Sequence, residues 1–362
     1  MAKIAINSEF WQGRRVFVTG HTGFKGAWLT FWLQRLGAEV TGYALPATTT
    51  PALHELLGLK GGYLADICDG AALMNAMQAA RPEVVFHLAA QAIVRTSYDD
   101  PVATFATNVT GTAQLLDAVR HTTGTKAVVV VTSDKCYENR EWPWGYRETD
   151  VLGGHDPYSA SKGATELVVS SMRKSFFAPH RQDGHPARIV TARAGNVIGG
   201  GDWSKDRLVP DIVRGLAKGA VDIRNPHAVR PWQHVLEPLS AYIGLAQLLA
   251  GSENEIDTAF NIGPNAEDTR SVWEVAQALS AQMGGTQLKD PPRSELLHEA
   301  NLLTLDCALV TQKLGWRPRW RFDEAITATA QWYKHWLAGG EMSAFSSAQI
   351  DAFENDSPYG NP

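Results

Sequence analysis

Gly20, Gly23 and Gly26 stand three residues apart, between a short β-branched run at 15–19 and a stretch of helix formers that stops near Gly37. A strand that turns tightly into a helix requires small residues at such points, for the turn, for close approach of a ligand and for helix–strand packing. The start of that helix offers free N–H groups and partial positive charge, which suit a phosphate. The spacing therefore predicts a dinucleotide site in which Gly20, His21, Thr22, Gly23, Phe24, Lys25 and Gly26 surround a pyrophosphate. Further apolar, strand-like runs lie at 39–44, 84–88, 127–132 and 189–192, with helical stretches between them. That alternation predicts an α/β fold with a doubly wound parallel sheet, whose ligands lie beyond the carboxyl ends of the strands. After Asn196 the rhythm loosens. A helix is expected at 208–216, an irregular stretch at 224–234, a helix at 237–249 and a strand at 259–262, with a poorly ordered polar end after about residue 339.

Composition narrows the classes. The chain has 362 residues, 44% hydrophobic and 20% charged, enough to bury a sizeable core. A net charge of -5 with no long basic run argues against a nucleic-acid partner. Cys68, Cys136 and Cys307 are far apart and odd in number, which fits a reducing compartment and neither a disulfide framework nor a zinc site; no metal is expected. No apolar run approaches the roughly 20 residues of a membrane helix, and no leader stands at the N-terminus. The expectation is a cytoplasmic protein without a membrane partner.

The acid that usually holds the adenosine ribose after the second strand is missing, and Tyr43-Ala44-Leu45 stands there. NAD and NADP both stay open on these residues. Asp66 and Ile67 follow a strand-like run and are candidates for the adenine. Leu88, Ala89 and Ala90 are small enough to let a dinucleotide lie close. In Pro157-Tyr158-Ser159-Ala160-Ser161-Lys162 a phenol and an ammonium share one helical face. A cation beside a tyrosine favours the phenolate, lowering its usual value of about 10. Such a tyrosine can take a hydroxyl proton while a hydride leaves the same carbon.

Together with Asn108 and Gln91, these residues resemble the extended short-chain dehydrogenase/reductase family, and within it the nucleotide-sugar 4,6-dehydratases. Gly20-His21-Thr22-Gly23-Phe24-Lys25-Gly26, Thr132-Ser133-Asp134-Lys135-Cys136-Tyr137 and Leu152-Gly153-Gly154-His155-Asp156-Pro157-Tyr158-Ser159 are similar to the branch acting on CDP-glucose. The resemblance covers nearly the whole chain, including Arg230-Pro231-Trp232-Gln233-His234-Val235.

It implies NAD as cofactor, with Asn108, Tyr158 and Lys162 at that site. It implies conversion of CDP-glucose to CDP-4-dehydro-6-deoxyglucose and water. In that cycle C4 is oxidised, water is eliminated across C5 and C6, and a hydride returns to C6. Tyr158 is then the base at the 4-hydroxyl, Lys162 its cation and Ser133 its neighbour. Asp134 is the acid for the departing C6 hydroxyl and Lys135 the base at C5. The alternative for Asp134-Lys135 is a salt-bridged turn. Gln91, Arg95, Asn196, Arg207, Arg230 and Arg293 are the implied substrate contacts, with Ser133.

The resemblance also implies a homodimer or homotetramer. Residues 1–196 form the dinucleotide-binding domain, with a return segment at about 232–265; 197–340 mainly bind the sugar nucleotide, and 341–362 are the polar tail. A 4-epimerase, a dehydratase for another nucleoside-diphosphate glucose, and a catalytically silent NAD(P)-binding regulator are the competing readings. The preference for cytosine rests on the resemblance alone.

Overall fold

A computed structural model describes residues 6–177, 184–251, 258–290 and 301–356. The strand and helix around the glycines are β1 (Arg15–Thr19) and α1 (Phe24–Arg35). There follow β2 (Glu39–Ala44), β3 (Tyr63–Leu64), α2 (Gly70–Ala80) and β4 (Val84–His87). Helices α3 (Pro101–Phe105) and α4 (Gly111–Arg120) flank a π-helical segment at Ala106–Thr110. Then come β5 (Ala127–Val131), α5 (Pro157–Phe176), β6 (Arg188–Ala194), α6 (Leu208–Leu216), α7 (Leu236–Gly251) and β7 (Ala259–Ile262). The chain closes with α8 (Val272–Gln282), α9 (Phe322–Leu337) and α10 (Met342–Asn355).

Seven strands form one sheet in the order β7-β6-β5-β4-β1-β2-β3. Every pairing in it is parallel. Alternate residues serve opposite faces. Phe17, Val85, Val128, Val130 and Ile189 join the cluster with Leu73, Met77, Leu115 and Val169 of α2, α4 and α5. Val16, Val18, Phe86, Val129 and Val190 join the cluster with Trp28, Trp32, Leu239 and Ile243 of α1 and α7. Both faces are covered, so the strands are apolar throughout rather than alternating. Helix α7 is buried on nearly all sides, which removes any polar stripe from its sequence. Strand order reverses between β1 and β4, and their carboxyl ends open a crevice there. The irregular stretch at 224–234 contains two short strands, Val229–Arg230 and Gln233–His234, the second paired with Val197–Ile198.

The end of the chain departs from the expected tail. Met342, Ser346, Ile350 and Phe353 fall at helical spacing and are buried along α10. Arg319 donates to the carbonyls of Phe353, Glu354 and Asp356, and Trp32 Nε1 donates to Glu354 Oε1 at 2.8 Å. The stripe is diluted by serine and alanine, so composition concealed a helix that periodicity displays. Among the described residues no helix is long and apolar enough to cross a membrane.

Candidate active site

The crevice is a cleft of about 1210 Å³ whose walls include the glycine turn, the ends of β4, β5 and β6, and the start of α5. Gly20 has φ +76, and a Cβ there would meet Ala89 N at 2.8 Å. A Cβ on Gly26 would meet Gly20 O at 2.0 Å, so this glycine serves strand–helix packing. A Cβ on Gly23 would meet only Gly20 O, at 3.4 Å, which leaves that edge open to a ligand. Gly23 is also the N-cap of α1 and provides no side-chain cap, so the first amides of that helix have no side-chain acceptor from the cap. This is a fit for a pyrophosphate. Thr22, Phe24, Asp66, Ile67, Leu88, Ala89 and Ala90 line the same cleft. So do residues 44–49, which include no cation to pair with a ribose 2′-phosphate; the donor set fits NAD better than NADP.

Two expected cofactor residues, His21 and Asn108, take other positions. The His21 ring is buried against Gly42 and Gly62, where a Cβ on either would strike it within 3 Å, and it does not line the cleft. Burial lowers its pKa. Asn108 is also buried outside the cleft. Its Oδ1 accepts from Gln91 N at 2.9 Å, while Nδ2 donates to Gln91 O at 3.0 Å and to Ser161 Oγ at 2.8 Å. It clamps the turn after β4 to α5. Lys25 does line the cleft, with its ammonium over the Tyr242 ring, and burial, Arg207 and Lys162 push its pKa down to about 7. The glycine spacing named Lys25 but gave no indication of that direction.

Asp156 caps α5 by accepting from Ser159 N at 2.9 Å, and Pro157 occupies the first helical position, where its missing N–H costs nothing. This places Tyr158 and Lys162 on one face, 8% and 5% exposed. Opposite them, Ser133 accepts from Lys135 N at 3.2 Å and opens a short 3-10 turn, Asp134–Cys136. Ser133 Oγ donates to Asp134 Oδ1 at 3.0 Å and lies near enough to the Tyr158 phenol to act on its ionisation. Asp134 is 2% exposed, and its Oδ2 has no hydrogen-bond partner among the described residues. Burial raises its pKa, against the pull of Lys135, the Ser133 bond and Arg230. Ser133, Asp134, Lys135, Tyr158 and Lys162 all line the cleft. The expected lowering of the phenol pKa by Lys162 is not found: burial pushes Tyr158 up to about 12, Ser133 and Arg207 opposing it, and pushes Lys162 down to about 8.

Arg95, Asn196, Arg207 and Arg230 border the cleft. Arg230 is buried, near enough to Asp134 to act on its ionisation. Arg207 donates to Ala92 O at 3.3 Å, and Arg95 approaches Asp206 at 3.5 Å. Gln91 borders the cleft, but its amide bonds Ile93 and Thr104 rather than pointing inward. Arg293 lies outside the described residues. Arg214, Lys218 and Arg224, absent from the expected contacts, also border the cleft, with Arg214 paired to Asp211 and Arg224 to Asp206 and Asp211. They follow no motif, and only the fold of α6 and the loop after it gathers them.

The profile of the GDP-mannose 4,6 dehydratase family matches residues 17–329. A CDP-glucose 4,6-dehydratase of Salmonella typhimurium is 48% identical over 96% of this chain and 98% of its own length. A dTDP-glucose 4,6-dehydratase of Streptomyces antibioticus is 32% identical over 74% and 75% of the two chains. Among solved structures, a UDP-glucose 4-epimerase of Thermus thermophilus in complex with NAD superposes with a TM-score of 0.74 at 26% identity, covering 88% of this chain and 99% of that one. With its glycine turn, its Tyr158–Lys162 helix and this extent of similarity, the chain belongs to the GDP-mannose 4,6 dehydratase family.

Proposed function

We propose that this chain is a lyase that dehydrates CDP-glucose to CDP-4-dehydro-6-deoxyglucose with NAD as a resident cofactor. The observation that carries this reading is Asp134, buried with one carboxyl oxygen that has no hydrogen-bond partner among the described residues, beside Lys135 and in one cleft with Tyr158 and Lys162. Oxidation alone needs only the phenol and its cation. An acid–base pair is needed once water leaves. The 48% identity to a CDP-glucose 4,6-dehydratase supports the choice of sugar nucleotide.

The glycine turn, Asp66, Ile67 and Leu88–Ala90 would hold NAD, and Lys162 its ribose. Bound there, NAD supplies the hydride acceptor for C4, the donor for C6 and a cationic charge that favours the Tyr158 phenolate. Tyr158 takes the proton of the 4-hydroxyl, with Ser133 orienting that group. The C4 ketone acidifies C5–H; Lys135 removes that proton and gives one back to C5 when C6 is reduced. Asp134, kept protonated by burial, donates to the departing C6 hydroxyl, which leaves as water. Arg207, Arg214, Arg224 and Lys218 at the rim hold the diphosphate, and Arg230 works at the inner, sugar end. An oxidised intermediate that stays in the cleft is protected from release before the hydride returns.

Two copies pair through α3 and α5, where Val102, Phe105 and Leu167 stand exposed on adjacent helices.

The deciding experiment incubates the protein with CDP-, dTDP- and UDP-glucose, with and without NAD, and follows mass. CDP-glucose should lose one water in the presence of NAD. Turnover to an isomer of unchanged mass would replace this reading with a 4-epimerase, and water loss from another base alone would change the substrate.

A further inference from the structure

We infer that Glu166, clasped by Arg193, is a positioning residue that ties the turn carrying Ser133, Asp134 and Lys135 to the helix carrying Tyr158 and Lys162. The inference rests on the dehydratase reading for the chemistry it serves.

Glu166 lies one helical turn beyond Lys162 on α5 and is 4% exposed. Its Oε1 accepts from Thr132 Oγ at 2.5 Å, and its Oε2 accepts from Thr191 Oγ and Arg193 Nη2, each at 2.8 Å. Thr132 immediately precedes Ser133. Arg193 reaches the other end of the same turn, where its Nη1 donates to Tyr137 Oη at 2.9 Å and to Glu148 O at 3.1 Å. Tyr137 in turn donates to Asn261 Oδ1 at 2.6 Å, on β7. One buried ion pair thus grips the turn before Ser133 and after Cys136, and grips α5 at a fixed distance from Tyr158. Buried ion pairs are poor sources of stability, because desolvation offsets their attraction. Their geometric value is greatest where two strips of chain must keep one register, as they do here.

The carboxylate also faces Lys162. The groups that interact with that ammonium are Glu166 on its own helix, Cys136 from the turn, Lys25 from α1 and His87 from β4. Burial keeps the Cys136 thiol protonated and the His87 ring neutral. Of these groups only Glu166, ion-paired with Arg193, is a carboxylate. It is the first cause that sustains the Lys162 proton against burial. Removing the charge lowers the Lys162 pKa further, so the ammonium is lost earlier as pH rises.

The test compares Glu166→Gln, Thr132→Val and Thr191→Val with the unmodified chain, using NAD affinity by calorimetry from about pH 6 to about pH 9.5 and steady-state rates with CDP-glucose. In Glu166→Gln, NAD affinity should fall off about one pH unit lower. Its kcat should drop about tenfold or more while KM stays within about threefold. Thr132→Val cuts only the tie to the turn, and should lower kcat with the pH curve of NAD binding unmoved. Thr191→Val removes a bond on the side away from the turn and should change neither. A folded Glu166→Gln with the parental pH curve and kcat overturns the inference, as does an equal shift in Thr191→Val. If Glu166→Gln does not fold, an unchanged kcat in Thr132→Val overturns it instead. Failure of the unmodified chain to dehydrate CDP-glucose removes the functional reading, while the pH curve of NAD binding still judges Glu166.

Discussion

Asp134 and Lys135 are neighbours in sequence with opposite requirements. The acid must keep its proton and the amine must lose one, and a simple ion pair between them would defeat both. The structure favours the acid, because Asp134 is almost fully buried and burial is the largest influence on it. Lys135 is half-buried at the cleft wall. Lys135→Ala should therefore abolish exchange of the C5 proton with deuterium and lower turnover by about 100-fold or more, with NAD affinity retained. Proton NMR in deuterated buffer and calorimetry check this, and unimpaired turnover would remove Lys135 from the mechanism. His21 shows the converse. Its place in the glycine turn marked it as a cofactor contact, yet its ring fills the space over Gly42 and Gly62.

Helix α7 brings a carboxyl into the core. Glu237 is 1% exposed, and its Oε1 accepts from Arg319 N at 2.9 Å and Trp320 N at 2.6 Å. Burial pushes its pKa up to about 8, from an ordinary 4.5. The folded chain then holds a proton that the unfolded chain releases. The associated stability is complete below about pH 4.5 and is lost as pH rises through about 8, by up to about 5 kcal/mol. Glu237→Gln keeps the acceptor and removes the ionisation, so its thermal midpoint should exceed the parent's at pH 8 and lose most of the parent's pH dependence between pH 5 and pH 8. Parallel curves for the two proteins would contradict this. On the neighbouring element, Phe353 packs edge-on to Trp32 and Trp320 at ring separations of 5.8 and 5.1 Å. Phe353→Ala should cost about 3 to 5 kcal/mol, seen as a lower urea midpoint. A loss below about 1 kcal/mol would mean that α10 is dispensable to the core.

The sheet gathers residues from the ends of β1, β4, β5 and β6 into one cleft, so the chemistry depends on the whole αβ framework rather than on any one motif. Its outer surface carries the exposed apolar residues of α3 and α5. Leu167 is 62% exposed there and takes no part in the cleft. Leu167→Lys should convert a dimer to a monomer in light scattering while leaving the catalytic side chains in place. A parent that is already monomeric at micromolar concentration would refute pairing through this face.

Much of the frame could be read from residue order. Local rules govern a glycine turn, a Pro-Tyr helix start with its Asp cap, and apolar strand runs, because their causes lie within a few residues. The span of α6 and the shared helical face of Tyr158 and Lys162 were legible for that reason. The helix at 342–355 was legible in periodicity but hidden by composition. What no local rule contains is contact between distant segments. Asn108 clamps a turn 17 residues away, Glu166 meets an arginine 27 residues away, and Lys25 turns toward Lys162. The direction of each pKa shift belongs to the same class, since desolvation depends on every chain segment that closes over a group. Short-range sterics and hydrogen bonding wrote the motifs; packing chose where their side chains point and what they ionise against.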